Sequence, residues 1–480
     1  MPNIKSLIKK DLIINGEQIE TEKYTTLYAP YSGEAIAEIA SATGIETEQA
    51  ITAAYKARET MASMPAWKRA EILETAAQLL KDRTEEASSI IALEAAKPLN
   101  TARQEVARTV ETYKFAAEEA KRIHGETIPL DAARSGENKL AYTVREPIGV
   151  VGAITPFNFP MNLVAHKVGP AIASGNTIVL KPASQTPLSS FFIAELFEEA
   201  GLPAGVLNVI TGSGRIVGDQ LVTDERVSMI TFTGSPAVGI GIRNKAGLKK
   251  VTLELGSNAA VIIDRHTALD QIASRCVTGA FSNQGQVCIS LQRIYVHEKV
   301  YEEFVEKLII ETKKLVLGDP LCSETNISAL ISPEETKRAL SWIKEAVKSG
   351  AKLVTGGEVE GTVLQPTILL EAGQSMKVSC QEVFAPIVIV NKVTTIEEAI
   401  EKVNDSRYGL QAGIYTNDVQ TALTAADQLH VGGVMINDIP TFRVDHMPYG
   451  GVKESGTGRE GLKYAIEEMT EMKLVVWSRQ

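Results

Sequence analysis

The chain opens with Leu12-Ile13-Ile14 followed by Asn15-Gly16, a pair that favours a tight type I′ turn and predicts a small β-hairpin. Over 45–61, 66–83 and 101–123, apolar residues recur at three- and four-residue spacing with charges between them, the pattern of amphipathic helices. The grammar then changes. Short apolar runs at 149–154, 177–180, 206–210, 229–232 and 251–255 alternate with helix-like stretches, as βαβ units of a parallel sheet do. The alternation restarts at 259–263 and continues through 294–296, 352–354, 387–390, 413–415 and 434–436, so two α/β domains are expected rather than one. Two strand-like segments, 139–144 and 472–477, belong to neither series; they are expected to pair with each other or to form an arm that docks on another subunit.

Composition narrows the field. With 480 residues, 44% of them hydrophobic, two or three domains are the prior and disorder is excluded. Lys+Arg 49 against Asp+Glu 59 leaves a net charge of −10, which repels nucleic acid and anionic membrane surfaces; neither is an expected partner. The uncharged stretch 147–166 is long enough to span a bilayer, but Pro147, Pro156 and Pro160 break it and Asn158, Asn162 and His166 make it polar. Near the N-terminus, Lys5, Lys9 and Lys10 precede an apolar run of only Leu12 to Ile14, too short for a signal peptide core. Four cysteines (Cys276, Cys288, Cys322 and Cys380), none in a CxxC pair, suit a reducing compartment, and the expected location is cytoplasmic. The scattered histidines include no HExxH, so no metal is expected.

Candidate chemistry lies in a few segments. Gly212, Gly214 and Gly218 space as GxGxxxG, which fails the dinucleotide fingerprint and reads equally as an ordinary strand-to-helix turn. Phe232-Thr233-Gly234-Ser235-Pro236 follows an apolar strand directly: Gly234 permits a sharp turn, Ser235 can cap a helix, and the free amides there would suit a pyrophosphate. Asn158, between Pro156 and Pro160, is either a turn residue or an amide held at a strand end. Glu254 closes an apolar strand, where a carboxylate is costly without a role or a partner. Cys288 sits in a polar, glycine-bearing loop, whereas Cys276 lies in a helical stretch that reads as core; for either, a buried structural thiol is the alternative.

Taken together, Thr155 to Pro160, Val179 to Pro187, Phe232 to Gly239, Glu254 to Asn258, Gln284 to Cys288, Glu382 to Pro386 and Pro448 to Gly456 occur in the order found in the NAD(P)-dependent aldehyde dehydrogenase superfamily, which the chain resembles over nearly its full length. The resemblance implies Cys288 as nucleophile, Glu254 as general base and Asn158 as oxyanion donor, with a hemithioacetal and then a thioester on the cysteine. It further implies cofactor contacts from Thr155, Pro156, Lys181, Ser184, Gly214, Phe232, Gly234, Ser235, Leu255, Glu382 and Phe384. At Ser184, strictly NAD-specific relatives often carry a glutamate that would repel a 2′-phosphate; a serine with Lys181 nearby implies use of NADP, with NAD also accepted. Ser257 replaces the second glycine of the more usual ELGG motif and is expected to narrow the swing of Glu254.

The implied fold is α/β: two parallel-sheet α/β domains plus a small β oligomerisation arm. Its expected parts are a dinucleotide-binding domain from 1–121 and 146–255, a catalytic domain from 256–436, and an arm with a C-terminal substrate-tunnel loop from 122–145 and 437–480. A homodimer or homotetramer follows from the arm. Arg108, Asn162, His166 and Arg443 fall where relatives acting on fatty or aromatic aldehydes have apolar tunnel walls. Two arginines facing a tunnel need counter-charge, so a small aldehyde bearing an anionic group is expected; the alternative is that they pair with protein carboxylates such as Glu105 and Asp445. Other readings are oxidation of a neutral hydroxyaldehyde such as lactaldehyde, a CoA-acylating enzyme, for which Glu254 is out of place, and a non-catalytic dinucleotide-binding protein, for which the intact Cys288, Glu254 and Asn158 are out of place.

Overall fold

The structure is a computed structural model that describes residues 7–265 and 267–479; the first six residues of the expected segment 1–121, His266 and Gln480 lie outside them. An eight-stranded sheet runs in the order Gly456–Thr457, Lys250–Glu254, Val227–Thr233, Val150–Ile154, Thr177–Lys181, Leu207–Val209, Leu12–Ile14, Glu17–Ile19. Its central strands, from Lys250–Glu254 to Leu207–Val209, are parallel. The predicted hairpin closes one edge, with Asn15 and Gly16 at φ 55° and 75° as a type I′ turn demands.

From Val150–Ile154 the chain adds strands first on one side, then on the other, so the order reverses between that strand and Val227–Thr233. A crevice at the C-terminal ends of the strands is the usual ligand site at such a reversal. Three motifs leave the sheet there: Thr155 to Asn158, Gly234-Ser235 and Leu255-Gly256.

The second sheet has seven strands, Lys352–Thr355, Thr367–Leu370, Ile387–Val393, Arg293–His297, Ala260–Ile263, Gln411–Tyr415 and Gly433–Ile436, parallel except for the first pair. Strand Thr367–Leu370 was not expected from the sequence, where it is a four-residue apolar run directly behind Pro366. The two orphan segments do pair: Thr470–Ser478 lies antiparallel along Lys139–Pro147 over its whole length, with Thr127–Ile128 on the far side.

The predicted helices are Gly44–Ser63, Ala66–Asp82 and Leu99–Ala120. Thr43 and Glu46 form a capping box that fixes the start of the first. A further helix, Thr84–Ala95, is separated from its predecessor only by Arg83, a break too short for the apolar spacing to reveal. The uncharged stretch 147–166 is divided between strand Val150–Ile154, the loop that follows it and the start of helix Asn162–Ala173, every residue of which is buried. Among the described residues, no helix is long and apolar enough to cross a membrane.

Candidate active site

Cys288 lies in the loop between helix Leu269–Phe281 and strand Arg293–His297. The loop backbone is forced. Asn283, Gln284 and Gly285 are consecutively left-handed at φ 50°, 56° and 70°, and a Cβ on Gly285 would stand 2.3 Å from the Ala385 carbonyl oxygen. Such conformations persist only when the surroundings over-determine them. Here Gln284 Nε2 donates to the carbonyls of Ala96 and Ala329 at 2.9 and 3.0 Å, and Ile331 N–H donates to Gln286 Oε1 at 3.0 Å.

Asn158 is tied to the same loop: its Nδ2 donates to the Gln286 carbonyl at 2.9 Å, which leaves its second amide hydrogen available. Its own carbonyl accepts from Lys97 Nζ at 2.6 Å and Asn283 Nδ2 at 3.2 Å. Lys97 is fully buried, ion-paired with Glu105, and its ammonium sits 3.8 Å from the centroid of the Phe159 ring. Glu105 in turn accepts from the Met161 and Asn162 amides at 2.9 and 3.2 Å.

Glu254 ends its strand buried, and neither carboxylate oxygen has a hydrogen-bond partner among the described residues. Burial pushes its pKa well above the usual carboxylate range and Glu460 adds to this, only partly offset by Arg443, Lys167 and Arg459. A buried carboxyl so perturbed, lining a cleft, is a candidate general base. Behind it, Lys167 Nζ donates to Thr233 Oγ1 at 2.8 Å and contacts Glu460 at 3.2 Å.

Two clefts meet at Cys288. The smaller, about 170 Å³, is lined by Thr101, Gln104, Arg108, Asn162, Thr441 and Arg443 among others. The larger, about 410 Å³, is lined by Pro156, Asn158, Gly234, Ser235, Glu254, Leu255, Glu382 and Phe384 among others. Only Leu163 and Cys288 line both. Of the expected cofactor residues, Pro156, Gly234, Ser235, Leu255, Glu382 and Phe384 therefore line one cleft with Cys288. Thr155, Lys181, Ser184, Gly214 and Phe232 do not line it. Ser184 and Gly214 are exposed, and Lys181 Nζ turns back to the Pro182 carbonyl at 3.3 Å.

The arginines carry counter-charge already. Arg108 makes a two-pronged ion pair with Asp445, and Arg443 Nη2 contacts Glu460 at 2.9 Å. The expectation that an anionic ligand must offset their burial is corrected accordingly: protein carboxylates do so. Glu105 serves Lys97 instead. Asn162 Nδ2 donates to Asp445 Oδ1 at 3.1 Å. His166 Nε2 lies 2.9 Å from Asp445 Oδ1 and 3.1 Å from Arg443 Nη2, so a single ring nitrogen faces a donor and an acceptor. Burial, followed by Arg443, lowers the His166 pKa. Although burial works against it, the hydrogen bond from His166 and the charge of Arg108 hold Asp445 well below the usual carboxylate range.

A dinucleotide fits the larger cleft. Ser235 begins helix Pro236–Lys245, yet its side chain makes no capping bond, so the first-turn amides face the cleft unpaired by it. Glu382 accepts from the Ser257 amide at 2.9 Å and occupies space that a Cβ on Gly256 would invade at 2.6 Å. Ser257 thus engages Glu382 through its backbone.

Sequence reasoning missed Lys97, Lys167, Glu460 and Tyr449, and weighed Glu105 only as a partner for the arginines. Lys97 and Lys167 have apolar neighbours, a signal that could have flagged them; Glu460, between Arg459 and Gly461, carries none. Tyr449 was read only as part of a motif, yet its hydroxyl is 2.8 Å from Cys288 Sγ.

Comparison with known proteins agrees with this geometry. The family model described as "Aldehyde dehydrogenase family" matches residues 17–475. A 3-sulfolactaldehyde dehydrogenase of Priestia megaterium is 49% identical over 476 residues, covering 99% of each chain. A lactaldehyde dehydrogenase of Methanococcus aeolicus is 42% identical, covering 97% of this chain and 99% of the other. Among solved structures, the glyceraldehyde-3-phosphate dehydrogenase GapN of Methanocaldococcus jannaschii complexed with NADP superposes with a TM-score of 0.92 at 41% identity, covering 95% of this chain and 100% of that one. This chain belongs to the aldehyde dehydrogenase family and is an enzyme that oxidises a small aldehyde with NADP or NAD.

Proposed function

We propose that the substrate is a three-carbon 2-hydroxy aldehyde carrying an anionic group on its third carbon, oxidised to the acid with Cys288 as nucleophile, Glu254 as base and Asn158 as oxyanion donor. The observation that carries this reading is the position of Cys288 at the junction of a small polar cleft and a larger one suited to a dinucleotide. The Cys288 thiolate attacks the aldehyde carbon and the negative charge moves to oxygen, where the free hydrogen of Asn158 Nδ2 stabilises it. A bound nicotinamide supplies the two-electron acceptor. Glu254, its oxygens unpartnered, takes a proton from the water that cleaves the Cys288 thioester. Pro156, Gly234, Ser235, Glu382 and Phe384 would hold the dinucleotide.

Supporting the substrate class, the cleft of about 170 Å³ admits only a small molecule, and Arg108, its side chain 30% exposed, stands on its wall. The aldehydes named in the three relatives share the 2-hydroxypropanal frame, and two of them bear an anion. That each arginine already has a carboxylate partner favours a second reading, a neutral hydroxyaldehyde such as lactaldehyde. Turnover of sulfolactaldehyde, glyceraldehyde 3-phosphate and lactaldehyde with each cofactor decides between them. The anionic reading requires a kcat/KM for one of the first two at least about tenfold above that for lactaldehyde, a gap of about 1.4 kcal/mol. Product analysis for free acid against acyl-CoA tests the hydrolytic role of Glu254.

The division into 1–121 with 146–255, 256–436, and 122–145 with 437–480 is retained as our reading, supported by the main sheet of each part, although strand Gly456–Thr457 of the third joins the eight-stranded sheet of the first. So is a homo-oligomer, supported by the exposed apolar side chains Met472, Leu474, Val476 and Trp477 on the outer strand of the arm. Four unpaired cysteines support the cytoplasm.

A further inference from the structure

Tyr449 is 2% exposed, lines the smaller cleft, and packs with Val287 and Ile289, the two neighbours of Cys288. Its hydroxyl is the side-chain group bonded to Cys288 Sγ, at 2.8 Å. Resting on the reading of Cys288 as nucleophile, we propose that Tyr449 is a further catalytic residue: its hydroxyl donates a hydrogen bond to Cys288 Sγ and increases the share of the nucleophile present as thiolate before substrate binds.

Which atom keeps the shared hydrogen follows from acidity. A phenol is a weaker acid than a thiol, and burial in the same pocket weakens both, so the thiol ionises first and the hydrogen stays on oxygen. No proton passes to or from Tyr449; it acts only as a donor. The nucleophile needs one, because burial pushes the thiol up, to about 11 even with the Tyr449 hydrogen bond drawing it down. The other ionisable groups facing it divide: Arg443 favours the thiolate, Glu254 and Glu382 oppose it. The Arg443 guanidinium also lies 3.7 Å from the centroid of the Tyr449 ring, held there by Glu460. A cation on the ring face draws density from the phenol and strengthens its O–H as a donor. Besides Cys288, Arg443 and Glu254 are the ionisable groups that act on Tyr449.

The bond acts on the resting enzyme. As the Sγ–carbon bond forms, the sulfur gives up its charge to the aldehyde oxygen and the hydroxyl loses its anionic acceptor. Removing it therefore has two opposed effects: fewer cysteines are ionised near neutrality, but each thiolate that forms is more basic and more nucleophilic. A merely structural role predicts no such crossing.

The test is the pH dependence of iodoacetamide alkylation of Cys288 in full-length, ligand-free protein, followed on the Cys288 peptide by mass spectrometry because Cys322 is also exposed. Tyr449→Phe is expected to raise the midpoint by about one pH unit, the worth of a hydrogen bond to a charged group, with a plateau at high pH no lower than that of the parent. An unchanged midpoint, or a lowered plateau, overturns the proposal. Should the phenylalanine variant fail to fold, 4-aminophenylalanine at 449, a weaker donor of the same shape that does not ionise in this range, must raise the midpoint; no movement overturns the proposal equally. The underlying reading fails separately, if Cys288→Ala retains turnover.

Discussion

Arg108, on the wall of the small cleft, is joined to the buried Asp445 by Nη2–Oδ1 at 2.6 Å and Nε–Oδ2 at 3.1 Å. Asp445 also takes hydrogen bonds from Asn162 and His166, so one buried carboxylate organises much of the substrate wall. Asp445→Asn is expected to cost about 3–5 kcal/mol, because it leaves buried cationic and polar groups without their acceptor. Thermal or denaturant unfolding measures this. Asn162→Ala, which removes one bond to Asp445 and one from Thr112, should cost about 1–3 kcal/mol.

Acid should weaken the same wall. The folded-state values of His166 and Asp445 are both depressed, so each binds fewer protons folded than unfolded. Their contribution is present above the unfolded values and lost as pH falls, His166 first, below about 6.5, and Asp445 below the ordinary carboxylate range. Stability measured from neutrality downward is expected to fall through that window, and Asp445→Asn is expected to remove only the loss below the carboxylate range, because Asp445 itself raises the His166 value.

Glu254 carries the opposite sign for activity. Its elevated pKa delays the ionised base, so kcat should climb with pH above the ordinary carboxylate range along a limb that Glu254→Gln abolishes. Steady-state turnover of that variant is expected to drop about 10²–10⁴-fold, while rapid mixing still shows one burst of reduced cofactor per subunit. Loss of the burst together with the steady state would assign Glu254 to an earlier step.

Asn158 and Lys97 should separate chemistry from architecture. Asn158→Ala is expected to lower kcat about 10²–10³-fold with a near-normal melting temperature. Lys97→Met instead strands the buried Glu105 carboxylate and should show itself first as unfolding, at about 3–5 kcal/mol.

Gly285→Ala tests the strained loop. A methyl group there meets the Ala385 carbonyl and must adopt φ 70°, so a loss of about 1–3 kcal/mol or a displaced Cys288 is expected. Melting temperature reads the first outcome and the alkylation rate of Cys288 the second.

The alternation of short apolar runs made both parallel sheets readable before any coordinates, because buried parallel strands are apolar throughout. It failed at Thr367–Leu370, too short and too near Pro366, and at the break of Arg83 between two helices. At the site, Cys288, Glu254 and Asn158 were legible from their motifs. The charge partners were not: Arg108 finds Asp445, Arg443 finds Glu460, and Lys167 finds Glu460, and only the fold brings such distant positions together. Tyr449 was hidden differently, since nothing in its local sequence says that the hydroxyl, and not the ring, faces the sulfur.

The two clefts share almost no wall apart from Leu163 and Cys288. A molecule lodged in one leaves the walls of the other untouched. Dead-end inhibitors should therefore sort by compartment: a dinucleotide mimic competing with cofactor but not with aldehyde, a short anionic acid competing with aldehyde but not with cofactor, and a thiol-directed reagent bridging Leu163 and Cys288 defeating both.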